Sequence, residues 1–177
     1  MRAFSIALNS IRAFFGIENG DDYKKVCRKI VFVGFKRFMY VILDYWLAGI
    51  TAAANLFLKA YEVDIVLAFM AMLLLNMTIC IVFVMTYEKT GVDLSLGVDL
   101  RRAVDKIHTE SKTAGYFAIL IVSIQAIFWS GPEQIVIFFQ KELPGWKRWV
   151  ALLVLTAIQT VIWMFLWRTG YDVISGG

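Results

Sequence analysis

A chain of 177 residues has room for one domain, and a composition that is 60% hydrophobic, with a mean hydropathy of +0.69, is too apolar for a water-soluble domain of that size. Its two cysteines, Cys27 and Cys80, stand too far apart in different segments to suggest a disulfide framework or a metal cluster. A formal charge of +4 does not point to nucleic acid, because the basic residues flank apolar runs, where orientation in a membrane places them.

The apolar residues come in four long blocks separated by charged segments. This predicts an all-α integral membrane protein, one transmembrane domain over 1–177, with four transmembrane helices arranged as two antiparallel hairpins.

Over residues 1–15, Arg2, Ser5, Asn9 and Arg12 recur at three- and four-residue steps, while Phe4, Leu8, Ile11 and Phe15 occupy another face. The spacing predicts an amphipathic helix lying in the headgroup region; a targeting presequence is the competing reading. A turn follows from Gly16 to Asp22. Lys24, Lys25, Arg28, Lys29, Lys36 and Arg37 then crowd the approach to a first span at 38–58, as a membrane-surface basic flank. Cys27, juxtamembrane among lysines, is read as a plain free thiol, with acylation the weaker alternative.

Tyr61 to Asp64 leave only a tight connection before a second span at 65–87, and Glu62 and Asp64 suit the positive end of its helix dipole. Residues 88–112 form the longest polar segment, predicted to be a cytoplasmic loop. It opens with two copies of Gly-Val-Asp-Leu, at 91–94 and 97–100, too few to define a solenoid. From Asp99 the residues Leu100, Val104, Ile107 and Ser111 trace a helical stripe, and Arg101 with Asp105 are spaced for an i,i+4 pair. That helix is expected to be able to run unbroken into a third span at 114–130.

Ser130, Gly131, Pro132 and Glu133 read as a helix start, with serine as cap and glutamate three residues on. The short helix they begin, at about 132–142, is too short to cross, so it is expected to be interfacial or re-entrant; the alternative is one long third helix kinked at Pro132. After a turn at Pro144 and Gly145, a fourth span fills 149–167 between Trp149 and Trp167 as interfacial anchors. With both termini cytoplasmic, 14 of the 18 Lys and Arg residues fall inside and 4 outside. The cell (inner) membrane is the expected location, with an organellar membrane the alternative.

Five polar side chains fall within the spans: Asp44 and Asn55 in the first, Asn76 in the second, Gln125 in the third and Gln159 in the fourth. A carboxylate at mid-helix costs about 2.5–3.5 kcal/mol on insertion scales, so Asp44 is expected to face protein or water. Helical steps from it reach Ala48, Thr51 and Asn55 one way and Arg37 the other. The plainer reading has Asp44 hydrated at the boundary and partly neutralised by Arg37; the sharper one has Asp44 and Asn55 lining a path for a cation or proton. The four amides read as interhelical glue, with Thr156 and Thr160 enlarging the polar surface beside Gln159. Met70, Met72, Met77 and Met85 read as packing, and His108, the only histidine, lacks companions for a metal or haem site.

The sequence carries no catalytic triad, metalloprotease motif, phosphate loop or dinucleotide fingerprint, and Asp44 is the one carboxylate well inside a predicted span. No catalytic residue, cofactor or metal is expected. The leading expectation is a non-catalytic subunit of a membrane assembly, its partners being lipids and either further copies of itself or other membrane subunits, with no nucleic acid. The alternative is a small cation, proton or solute channel or transporter using Asp44 and Asn55. An enzyme on lipid-linked substrate at the basic face ranks third.

Overall fold

The computed structural model describes residues 2–18 and 20–175, with backbone only at 2, 3, 174 and 175; the predicted role of the Arg2 side chain therefore lies outside the described residues. All regular structure among them is helical: α1 (Arg2–Phe14), α2 (Tyr23–Ala60), α3 (Ile65–Thr90), α4 (Gly97–Glu110), α5 (Lys112–Gln125), a π-helical turn (Ala126–Ser130), α6 (Pro132–Phe138) and α7 (Trp146–Ser175). Four helices are long and apolar enough to cross a membrane, namely α2, α3, α5 together with its π-helical extension, and α7. The chain is a multi-pass membrane protein. The 38 residues of α2 extend for about 57 Å, well beyond a hydrocarbon core of about 30 Å, so its basic amino-terminal turns continue outside it.

Local chemistry sets the boundaries. Asp64 accepts from the amides of Val66 (2.9 Å) and Leu67 (3.2 Å) and starts α3, the role its position suggests. Gly91, left-handed at φ 68°, ends α3. Ser111 is extended at φ −156° and caps α5 through Ala114, so α4 does not run on into α5 as the helical stripe had suggested. The chain turns back there tightly, because Gly115 packs where a Cβ would fall 2.5 Å from the His108 ring.

At the other end of α5, Gly131 rather than Ser130 is the N-cap of α6, and no side chain caps that helix. Ser130 is turned inward and its hydroxyl accepts from Gln125 (2.6 Å). Glu133 reaches other helices instead of closing a capping box.

Three helices build the bundle. Arg148 pairs with Glu88, the Thr156 hydroxyl lies against the Cys80 sulfur (3.8 Å), Asn76 bonds Thr160 (2.9 Å), and Met164 packs on Ala68 and Met72, so α3 and α7 run antiparallel along their length. Helix α2 runs parallel to α7, with Tyr40 against Phe83 at one end and Lys59 bonded to Asp172 (3.0 Å) at the other. Helix α5 instead packs on α4, antiparallel, and α1 lies on the far side of α4, tied by Asn9 to Glu110 (2.9 Å). The predicted second hairpin, third span against fourth, is replaced by this α4–α5 pair.

Residues on the two sides of the α4–α5 pair are bonded to each other. Gln134 donates to the Ser95 carbonyl (2.5 Å), Tyr87 donates to Gln140 (2.7 Å), Arg101 pairs with Glu142 (2.6 Å) and Arg148 with Glu88. The segment from α4 to α6 thus leaves and rejoins the same end of the bundle, α4 leading away and α5 leading back. Its deepest point is the break at Gly131, beside Cys80, which is about 12 Å along α3 from Glu88.

That break depends on glycine. Gly131 has φ 100° and ψ 153°, a region L-residues avoid, and a Cβ there would meet the Glu133 carboxylate at 2.5 Å. Gly131→Ala is expected to destabilise the protein by about 1–3 kcal/mol, read as a lowered melting temperature in detergent beside the wild type.

Candidate functional site

Between α2, α3, α7 and the 129–133 break lies a cavity of about 470 Å³. It exists because the α2 face turned toward it is built of small residues: Ala48, Gly49 and Ala52 line it, and a Cβ on Gly49 would touch nothing within 4 Å. Tyr45 and Trp129 line the cavity while remaining exposed on the outer surface, so it opens sideways between them.

Its polar groups come from every wall. Helix α2 supplies Asp44, Thr51 and Asn55, spread over about 16 Å of helix. Helix α3 gives Asn76 and Cys80, and α7 gives Gln159 and Thr160. Asp44, Asn55, Asn76 and Gln159, four of the five polar residues singled out in the sequence, therefore converge. Gln125 does not: it bonds Ser130 and faces a separate cleft beside Val33 and Leu100.

Glu133 is the residue that sequence reasoning missed. Its carboxylate is buried and accepts from the Tyr40 hydroxyl (3.0 Å) and the Cys80 thiol (3.4 Å), and Tyr40 also reaches the Ser130 carbonyl. The available signal was an acid followed immediately by an apolar run, Ile135 to Phe139, in a segment too short to cross. A cap explained it locally, and so hid it.

The remaining polar groups are unequally satisfied. Asn76 is bonded to Thr160, and Thr51 to the Ala48 carbonyl (3.0 Å). Asp44 is half-buried without a hydrogen-bond or ion-pair partner among the described residues; Arg37 lies over the Tyr40 ring at 5.6 Å and acts on Asp44 through its charge without contacting it. Asn55 is 1% exposed, and neither its amide nitrogen nor its carbonyl oxygen has a partner among the described residues. Each unmet buried group costs about 1–3 kcal/mol, so Asn55 holds two hydrogen-bonding groups ready at the cavity wall. The arrangement can receive a small solute carrying both positive charge and hydrogen-bonding groups.

Outside the cavity, Lys24, Lys25 and Arg28 are exposed, Lys29 pairs with Asp21 (2.6 Å) and Lys36 with Asp99 (2.6 Å). The basic flank thus splits into a solvent-facing half and a half that holds α1 and α4. The twin Gly-Val-Asp-Leu segments gain a structural reason: both aspartates are buried. Asp93 accepts from Ser95 and from the Val98 amide (2.7 Å each), and its carboxyl is pushed above its ordinary value by burial, against those bonds. Asp99 receives Lys36 and Arg102. Among the described residues no three His, Cys, Asp or Glu side chains converge as a metal site would need.

No family model, curated protein or solved structure matches this chain.

A leucine at 55 is close in size to asparagine and needs no partners. Asn55→Leu is expected to leave the protein as stable or to raise its stability by about 1–2 kcal/mol, measured by thermal unfolding in detergent. A clear loss of stability would mean that the amide is satisfied and serves the fold.

Proposed function

We propose that the chain crosses the membrane three times, through α2, α3 and α7, and that α5, the π-helical turn and α6 form a re-entrant hairpin from the cytoplasmic side. What supports this is that α4, rich in charged residues, cannot cross and so keeps the start of α5 on the side of Glu88, while the bonds joining 87–101 to 134–148 return the chain after α6 to that same side. The charge pattern agrees. With the amino-terminal arm and the whole 88–148 region inside, 16 of the 18 Lys and Arg residues are cytoplasmic, leaving only Lys59 and Arg168, a sharper bias than four crossings give. The carboxyl terminus then lies opposite the amino terminus.

Single cysteines at Lys106, Lys141, Tyr61 and Val173, in a chain whose own two cysteines are replaced by serine, are expected to label in two pairs with a membrane-impermeant maleimide. Positions 61 and 173 react from outside, and 106 and 141 only after permeabilisation. Position 141 reacting alongside 61 in intact cells would restore four crossings.

For function, we infer a carrier or channel for a small cation, the proton included, with Asp44 as the charged group that attracts it and Asn55 as its uncharged ligand. The single observation behind this reading is the convergence of Asp44, Asn55, Asn76, Gln159 and Glu133 on one cavity, with Asn55 buried and unpartnered. The alternative of an assembly subunit drew its motive from span amides in want of protein neighbours. Asn76 and Gln125 find those neighbours within the chain, which weakens that motive. An enzymatic reading has no hydrogen-bonded carboxylate pair behind it, since Glu133 bonds Tyr40 and Cys80 rather than Asp44.

Protein reconstituted in liposomes under an imposed membrane potential is expected to pass protons, sodium or methylammonium faster than protein-free vesicles. Asp44→Asn should slow that flux by about tenfold or more. Flux of all three equal to the protein-free control, or unaffected by Asp44→Asn, removes the proposal.

A further inference from the structure

Two clefts adjoin at the end of the bundle that carries α1 and α4, apart from the cavity described above. The larger, about 730 Å³, lies between α1, the amino-terminal part of α2, and α4, and is lined by Arg12, Lys29, Lys36, Arg102 and Lys106. The smaller, about 350 Å³, is mainly apolar, with Phe14, Leu96 and Leu100 in its walls. Phe15 and Val33 line both, so a basic mouth and an oily floor share one wall.

The cations of the mouth are not all compensated. Lys29 has Asp21, and Lys106 has Glu110 at a loose 3.5 Å. Lys36 (2.6 Å) and Arg102 (3.3 Å) share the single carboxylate of Asp99. Arg12, half-buried, has no side-chain partner among the described residues, and Glu18 at the exposed rim is the only other acid lining the cleft. In the apolar cleft, the side-chain carbonyl oxygen of Gln134 is buried without a donor, its amide being committed to Ser95. The pair of clefts thus offers an anion site beside an acyl-sized slot, with one unmet acceptor inside.

We propose that this double cleft binds a phospholipid with an anionic headgroup, its phosphate among Arg12, Lys36 and Arg102 and an acyl chain along Phe15, Val33 and Leu100. Guanidinium–phosphate contacts are charge-assisted and suit a fork-shaped donor, and a basic pocket at a helix–membrane boundary is where acidic lipids are recognised. A free phosphate would use only the mouth. The neighbouring face of α1, with Phe4, Leu8 and Ile11 exposed, lies alongside as a surface that lipid would cover.

The test uses the full chain in a neutral detergent with dioctanoyl phosphatidylglycerol as probe, against dioctanoyl phosphatidylcholine and inorganic phosphate, binding being followed by thermophoresis. Phosphatidylglycerol is expected to bind about tenfold or more tightly than either comparison. Arg12→Gln should weaken it severalfold. Gly34→Leu, placed where a Cβ meets open space on the wall of the apolar cleft, should weaken phosphatidylglycerol while leaving any phosphate binding alone. Unchanged melting temperatures would show both variants folded. Equal affinity for the two lipids, or phosphate binding as tightly as phosphatidylglycerol with Gly34→Leu silent, overturns the proposal.

Discussion

The bonds that clasp residues 87–101 to residues 134–148 constrain everything else in this protein. A hydrogen bond from Gln134 to Ser95 and ion pairs from Arg101 to Glu142 and from Arg148 to Glu88 tie the start of α4 to the chain that follows the 19-residue apolar helix. Helix α4 leads away from that edge of the bundle and α5 leads back to it, so the chain must reverse once more after α5. It does so through a π-helical turn, a glycine at φ 100° and a proline at the first position of α6, which together reverse the chain within a few residues.

A reversal at that depth brings a polar problem with it. Ser130 and the carboxylate of Glu133 are buried, and irregular backbone among apolar helices survives only when protein or a cavity meets it. Tyr40 and Cys80 meet part of it directly. The space left between the break and the small-residue face of α2 becomes the cavity, and the polar residues of α2 and α7 line the rest. Fold and candidate site therefore share one cause: the cavity is what remains when a two-helix wall, α3 with α7, is closed on its third side by a broken helix in place of a continuous one.

The same clasp organises the end that carries α1 and α4. It sets α4 where Asp99 can take Lys36 and Arg102, and α4 in turn seats α1, so the basic residues of the flank are divided between solvent and a cleft. A buried acid carrying two cations keeps this end ordered through charge as well as packing, and leaves Arg12 with no counter-ion of its own among the described residues. Asn55 poses the matching question in the bundle. Both are groups for which the fold alone offers no compensation, and the proposed ligands are the chemistry that would supply it.

By itself the sequence determined the class and most of the elements. Hydrocarbon favours helices whose backbone bonds are internal, so apolar runs of sufficient length were legible as helices, one with its start at Asp64, although α2 (Tyr23–Ala60) and α7 (Trp146–Ser175) run beyond the expected spans. Asp44 and Asn55 were legible as a shared face, because helical periodicity places them there whatever surrounds them. The packing of the third apolar run, the inward turn of Glu133, the convergence of amides from three helices and the departure of Gln125 from that group were decided only in the tertiary structure. Length and hydropathy measure whether a helix can enter a membrane; whether it leaves on the far side depends on contacts such as Gln134 with Ser95, made between residues 39 positions apart that no local pattern records.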